Sequence, residues 1–253
     1  MKHVFMDKIK LSELSTLPPA NADKDEYQEK TKQILEQLEE WQNKLYAQRK
    51  YSLLVIVQGM DASGKDGAIK KVFSGVNPMG INVKSFKKPT EEEMSHDFLW
   101  RIHKCVPEKG MIQIFNRSHY EDVVIQRVHA WVDDKTILRR YDHINAFENL
   151  LKENNTTILK FYLHISHKEQ LERLEERKTD STKMWKHNPN DAEESKLWKD
   201  YMNAYEDALN QCKEASKWHV VPSDKNWLKE YLIAKTITDT LEAINPAYPS
   251  LKL

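Results

Sequence analysis

Apolar residues recur along this chain with two different periods. Between 53 and 57 five aliphatic residues, Leu53-Leu54-Val55-Ile56-Val57, follow one another without a break. That pattern suits a central strand of a parallel sheet, covered on both faces. The runs Met111-Ile112-Gln113-Ile114-Phe115, 156–165 and 218–222 predict three further strands, and 81–86 alternates as a fifth. Between them the spacing turns helical. Tyr27, Ile34, Leu35, Leu38, Trp41, Leu45 and Tyr46 mark a long amphipathic helix over about 25–49, and such a stripe is expected to pack on its own domain rather than on a second subunit. A helix from Lys65 toward Gly75 follows the first strand. Thr90, with Glu93 in capping-box position, opens another that carries Met94, Phe98, Leu99, Ile102 and Val106 inward. Helices are also expected over 134–153, around Leu171 and Leu174, over 191–215 and over 227–244. Residues before about 24, with Pro18-Pro19, read as irregular chain wrapping the domain. Strands alternating with helices give an α/β fold.

The length of 253 residues fits one domain: an extension and long helix over 1–50, a core over 51–245, and a lid over about 178–190, where no apolar period exists. The 39 basic and 39 acidic residues cancel, so no general affinity for nucleic acid or membrane is expected and any polyanion site must be a local cluster. Cys105 and Cys212 stand alone, outside any disulfide framework or zinc spacing, which fits a reducing compartment. The first seven residues contain no apolar signal core, and no stretch approaches membrane-spanning length. A soluble cytoplasmic protein is expected.

The first strand runs into Gly59-Met60-Asp61-Ala62-Ser63-Gly64-Lys65-Asp66-Gly67. This matches G-x-x-x-x-G-K, in which backbone N–H groups and a helix N-terminus hold phosphate oxygens while the lysine adds mobile charge. The alternative is an ordinary glycine turn. Asp66 stands where a Ser or Thr hydroxyl would meet magnesium, although a carboxylate can also ligate or orient the hydrated ion. The 111–115 strand ends in the polar cluster Asn116-Arg117-Ser118-His119-Tyr120-Glu121-Asp122, at the sheet edge where open α/β folds bind ligands. Arg127 lies ten residues beyond Arg117, and Arg173 and Arg177 share a helix face before the lid. Together these offer the positive charge and carboxylates that phosphoryl transfer needs. Asp61 and Asp122 are the metal candidates; a turn-forming aspartate and an early-helix carboxylate are the respective alternatives. His164 and His167 read as structural, and His119 as packing or nucleotide contact. Neither H-E-x-x-H nor G-x-S-x-G occurs. Trp185 is an aromatic in a polar lid with no core to join.

The glycine-rich loop, Lys88-Pro89-Thr90, His96-Asp97-Phe98-Leu99-Trp100-Arg101 and Phe115-Asn116-Arg117-Ser118-His119-Tyr120-Glu121-Asp122-Val123 closely resemble the polyphosphate kinase 2 family, and the likeness continues through Arg127, the 171–177 helix, the lid and 218–227. The resemblance implies a P-loop kinase-like three-layer sandwich with a central parallel sheet and a helical lid. It further implies transfer of a terminal phosphoryl group between inorganic polyphosphate and a nucleotide, with Mg²⁺ or Mn²⁺, and Asp66 is normal in that family. The form with Asn116, His119, Glu121 and Asp122 resembles the class that phosphorylates both AMP and ADP, giving ADP and ATP. Asn116 lacks a charge, so by resemblance and proximity metal binding at this strand end falls to Asp122, and Asp61 and Asp122 would hold the metal. Lys65, Arg117, Arg127 and Arg173 would neutralise the transferring group. Arg177, Lys178 and Lys183 would line or close the channel. Gly59, Ala62, Ser63, Gly64, Asp66, Gly67, Thr90, Asn116 and Glu121 would contact nucleotide or phosphate. A homo-oligomer is expected. The rival readings are an ATP-dependent nucleoside monophosphate kinase and a non-catalytic polyanion-binding module.

Overall fold

The apolar runs pair into one parallel sheet in a computed structural model that describes residues 8–250; the first seven residues, where a signal core was sought, lie outside the described residues. In chain order the elements are α1 (Lys24–Gln48), β1 (Ser52–Gln58), α2 (Lys65–Val72), β2 (Ile81–Ser85), α3 (Glu91–Met94), α4 (Trp100–His103), β3 (Ile112–Asn116) and α5 (Glu121–Val128). They continue with α6 (Asp134–Glu153), β4 (Thr156–His164), α7 (His167–Thr179), α8 (Asp191–Lys196), α9 (Trp198–Gln211), β5 (Trp218–Pro222) and α10 (Asn226–Ile244). The strand order is β2-β3-β1-β4-β5. β1 therefore lies at the centre, which explains its unbroken apolar run.

Alternate residues of β1 serve different layers. Leu53, Val55 and Val57 belong to one buried cluster with Leu38 and Leu45 of α1, Val72 of α2 and Leu228, Ile233 and Ile237 of α10. Leu54 and Ile56 belong to the cluster of the opposite face, with Ile102, Val123, Ile144 and Tyr205. The α1 stripe packs within the chain, with Tyr27 edge-on to Tyr231 at 4.7 Å and 5.4 Å from Trp227. The irregular N-terminal arm does wrap the body: Leu11 is buried, its N–H donates to Glu206 at 2.8 Å, and the Thr16 hydroxyl donates to Asp224 at 2.8 Å.

Two helices expected to be continuous are broken. The capping box of Thr90 and Glu93 is present, yet that helix stops after one turn and resumes only at Trp100. Ser95 Oγ donates to the Glu92 carbonyl and Asp97 Oδ1 accepts the Leu99 N–H, so local side-chain bonds compete with the helical ladder. Met94 consequently stays exposed instead of pointing inward. The stretch after the lid likewise divides at Leu197 into α8 and α9.

Candidate active site

The loop between β1 and α2 is gripped from outside. Lys65 Nζ folds back to donate to the carbonyls of Gly59 at 2.8 Å and Met60 at 3.1 Å. Gln170 Nε2 donates to Asp61 O at 3.1 Å, Arg173 Nη1 to Ala62 O at 3.1 Å, and Lys229 Nζ to Ser63 O at 3.2 Å. Five successive carbonyls are thus held by side chains from α2, α7 and α10. A trans peptide sets its N–H opposite its C=O, so the carbonyls of Asp61, Ala62 and Ser63, held by α7 and α10, turn the next N–H groups away from those helices. That of Ser63 is the exception, closing a turn on Met60 O. The concave face and the start of α2 form an anion cradle. Two glycines are needed for it. A Cβ at Gly59 would lie 2.9 Å from Leu163 O, and one at Gly64, where φ is +92°, would lie 2.2 Å from Lys229 Nζ. Gly67 has open space at that position. Ala62 adopts φ +62°, a left-handed value uncommon for a residue with a Cβ. The Ser63 hydroxyl is buried without a hydrogen-bond partner among the described residues.

The β3 end faces this loop. Arg117 holds φ +64°, and its N–H donates to Val57 O at 3.1 Å, tying the strained turn to β1. Its guanidinium reaches Asp61 Oδ1 at 2.5 Å and stands 4.0 Å from Glu121 Oε2. Asn116 Nδ2 donates to Asp66 Oδ1 at 2.8 Å, and Lys186 from the lid reaches Asp66 Oδ2 at 2.6 Å. Behind the turn a wholly buried network fixes it: Tyr120 Oη donates to Glu148 at 2.7 Å, and Lys160 Nζ donates to Glu148 at 2.6 Å and to Cys212 O at 2.9 Å. Buried His119 completes this network on Glu148 at 3.3 Å and is packing, not a site group.

Charges in the site tune one another. Burial pushes the Lys65 ammonium down to about 8, with Arg117 adding to the effect. Burial raises the Glu121 carboxyl, and Asp61 reinforces this against the attraction of Arg117 and Lys65. Asp61 is also desolvated, but Arg117, Lys65 and Arg177 together hold its carboxyl below the ordinary range. Asp66 is likewise held low against its own desolvation, by Lys186 and Asn116.

The geometry does not bring all of the expected residues together. Asp61, Lys65, Asp66, Arg117, Asn116 and Glu121 converge, with Arg173 gripping the loop from outside. Asp122 points elsewhere: its carboxylate is buried 3.4 Å from Arg101, whose other nitrogen donates to Lys87 O at 2.9 Å. It therefore secures the segment leading to Thr90, and Glu121 takes the place beside Asp61. Arg127 is bound to Asp207, with Asp134 at 3.8 Å, away from the loop. Arg177 pairs with Asp191 at 2.8 Å at the base of the lid. Lys178 and Lys183 pair with Glu175 and Glu176. Thr90 caps α3. Sequence reading missed Gln170, Lys186, Arg101 and Lys229. A signal existed for Lys229, because a lysine between Leu228 and Leu232-Ile233 falls on the apolar face of α10.

A glycine loop at the tip of the central parallel strand, facing a charged second strand end, defines a P-loop kinase. Residues 21–249 match the family "Polyphosphate kinase 2", and the chain belongs to it. The chain is 47% identical over 213 residues, 84% of its own length and 80% of the relative's, to the AMP/ADP-polyphosphate phosphotransferase of Meiothermus ruber. It is 38% identical to the ADP-polyphosphate phosphotransferase of Rhodopseudomonas palustris, over 96% of this chain and 89% of that one. The crystal structure of polyphosphate kinase 2 from Arthrobacter aurescens TC1 superposes with a TM-score of 0.94 at 39% identity, covering 97% of this chain and 89% of that chain. No helix among the described residues is long and apolar enough to cross a membrane.

Proposed function

We propose that the protein transfers the terminal phosphoryl group of inorganic polyphosphate to AMP and to ADP, reversibly, giving ADP and ATP. The observation that carries this reading is the cradle: the five carbonyls from Gly59 to Ser63 are all taken by side chains, three of them from the flanking helices, with Lys65 and Arg117 on its rim. Such a site is preorganised for the charge of a transferring phosphoryl group, which leaves little covalent work for the protein. Both similar relatives carry polyphosphate phosphotransferase names, and the more similar one names AMP and ADP together.

Kinases of this kind generally use a divalent metal, and the oxygen donors here fit Mg²⁺ or Mn²⁺. Asp61 and Glu121 are carboxylates on either side of one guanidinium, and the Ser63 hydroxyl is a buried orphan. Magnesium asks for one or two carboxylates, with water and phosphate oxygens completing the shell. Asp61 and Glu121 would hold it, and the ion would neutralise phosphate charge. Arg117 would then turn from Asp61 to the phosphates, Lys65 would release its loop carbonyls to follow the transferring group, and the lid would exclude water.

Purified protein, Mg²⁺, AMP and polyphosphate, with the nucleotides separated over time, tests the reading. ADP and then ATP should accumulate without added ATP. Phosphorylation of ADP but never AMP would remove the dual-acceptor assignment. Turnover only when ATP is supplied would favour an ATP-dependent monophosphate kinase, and no turnover with either donor would favour a polyanion-binding module.

A further inference from the structure

Three cations grip the rim of the phosphate loop, and each has carboxylates in its field. Lys65 faces Asp61, Glu121 and Asp66, and Arg173 Nε donates to Glu169 at 2.9 Å. Lys229 is different. It is only 1% exposed, its ammonium donates to Ser63 O at 3.2 Å and Asn226 Oδ1 at 2.9 Å, and it makes no ion pair among the described residues. The charged groups around it are Arg173 and Glu169 on α7, Lys65 on α2 and Glu230 on α10. Burial, then repulsion from Arg173 and Lys65, pushes it down to about 7.

A buried ammonium without an ion-pair partner is costly, and a methionine would fill the same volume without that penalty. The position therefore gives up stability for charge, and the charge lies directly behind the cradle. Its Nζ occupies the space that a Cβ at Gly64 would need, 2.2 Å from that point, so a side chain at 64 would displace the ammonium.

We propose that Lys229 is a positioning residue for the phosphate donor: it braces the Ser63–Gly64 peptide from the rear and supplies a buried positive charge, held without an ion pair, that bound polyphosphate balances across the loop. This rests on polyphosphate being the donor seated in the cradle. The contribution is specific to the polyanion and needs a protonated amine. Because burial lowers the folded value, the charge is half lost at about pH 7 and falls further as pH rises through it.

The test compares wild type with Lys229→Met, measuring thermal midpoint, kcat, and KM for polyphosphate and for AMP from pH 6.5 to 9. The variant should melt at or above the wild-type temperature at pH 6.5, because the buried charge is gone. Its KM for polyphosphate should rise at least fivefold there with KM for AMP within twofold, and the difference should shrink toward pH 9, where the wild-type amine sheds its own proton. A lower midpoint at every pH with unchanged polyphosphate KM would reduce Lys229 to packing and overturn the proposal. Equal rises in both KM values would overturn it as well. Should Lys229→Met fail to fold, calorimetry on Lys65→Arg, whose guanidinium keeps its proton, decides: binding long-chain polyphosphate at pH 7.5, measured in two buffers of different ionisation enthalpy, should draw protons from the buffer, and zero uptake would overturn the proposal. Wild-type protein that neither binds nor turns over polyphosphate removes the function reading, and this inference with it.

Discussion

The phosphate loop and the lid face each other across the site, and they are held in opposite ways. The loop has its carbonyls taken by Lys65, Gln170, Arg173 and Lys229 and its glycines pressed against neighbours. The lid holds itself mainly with local bonds, such as Thr182 N to Asp180 Oδ1 and Trp185 Nε1 to Thr182 O. Between its base at Asp191 and α7, Lys186 to Asp66 is its one bond to a distant element among the described residues. The difference is one of timing. The loop's geometry is set during folding, so phosphate meets fixed donors, whereas the lid's few bonds beyond its own segment predict that its order depends on binding free energy.

The largest effect that can break this comparison is at Lys65. Lys65→Ala removes one preorganised contact to the transferring charge and should lower turnover on the order of 10²–10³-fold. Near-native turnover in a folded Lys65→Ala protein would show that the loop is not the preorganised partner. The wild-type pH profile sharpens the point. Lys65 is held down to about 8, so its charge is present below that value and polyphosphate use should decline as pH rises through it. Lys65→Arg should move that decline upward.

The region set during folding was also the more legible one. Leu53 to Val57 announced a central strand because both of its faces are buried, and Gly59, Gly64 and Lys65 announced the cradle because few other residues tolerate that backbone. What stayed hidden depends on tertiary direction. Glu121 and Asp122 are adjacent acids at the start of α5, and no local pattern says which one faces Asp61; buried Arg101, arriving from α4, claims Asp122. Arg127 shares a helix with both, yet α9 places Asp207 against it. Ser95 and Asp97 could break the helix after Thr90 only through bonds that the apolar spacing does not record.

The two acids give the next test. Asp122→Asn should weaken the pair with Arg101 and lower stability by about 1.5–3 kcal/mol, the worth of a hydrogen bond to a charged group. Its metal dependence should match wild type. Asp61→Asn should do the reverse, raising the Mg²⁺ needed for half-maximal activity while the melting temperature stays close to wild type. Metal titrations and melting curves on both variants check this, and a Mg²⁺ requirement shifted in Asp122→Asn alone would restore Asp122 as the ligand.

A smaller effect separates the base of the lid from its tip. Arg177 is held by Asp191 beneath the lid and acts on Asp61, whereas Lys183 is exposed and paired with Glu176 and Asp180. Each cation that contacts the polyanion should add about 0.7–0.9 to the slope of log KM for polyphosphate against log salt. Arg177→Glu should remove one such contribution, and Lys183→Glu should remove less. Equal slopes in the two variants would mean that lid tip and lid base meet the chain alike.

The smallest expected effect tests the lid itself. Trp185 is 77% exposed and Met184 is also exposed, so the segment buries little apolar surface to fix it. Lys186 to Asp66, at 2.6 Å, is an ion pair with its carboxylate half exposed, a kind that contributes little on its own. Proteolysis after Lys183 and Lys186 should therefore be fast in free protein and slow strongly when polyphosphate and nucleotide are bound, because phosphates then supply the order that protein contacts do not. Asp66→Asn weakens the remaining tie from the loop side and leaves both cleavage sites intact. In free protein it should speed cleavage only about two- to five-fold, the worth of an exposed pair. A much larger acceleration would mean that the pair is a lock and the lid a fixed element. Cleavage equally slow with and without ligand would mean that the segment is already packed, and the contrast between a preset loop and a ligand-ordered lid would be lost.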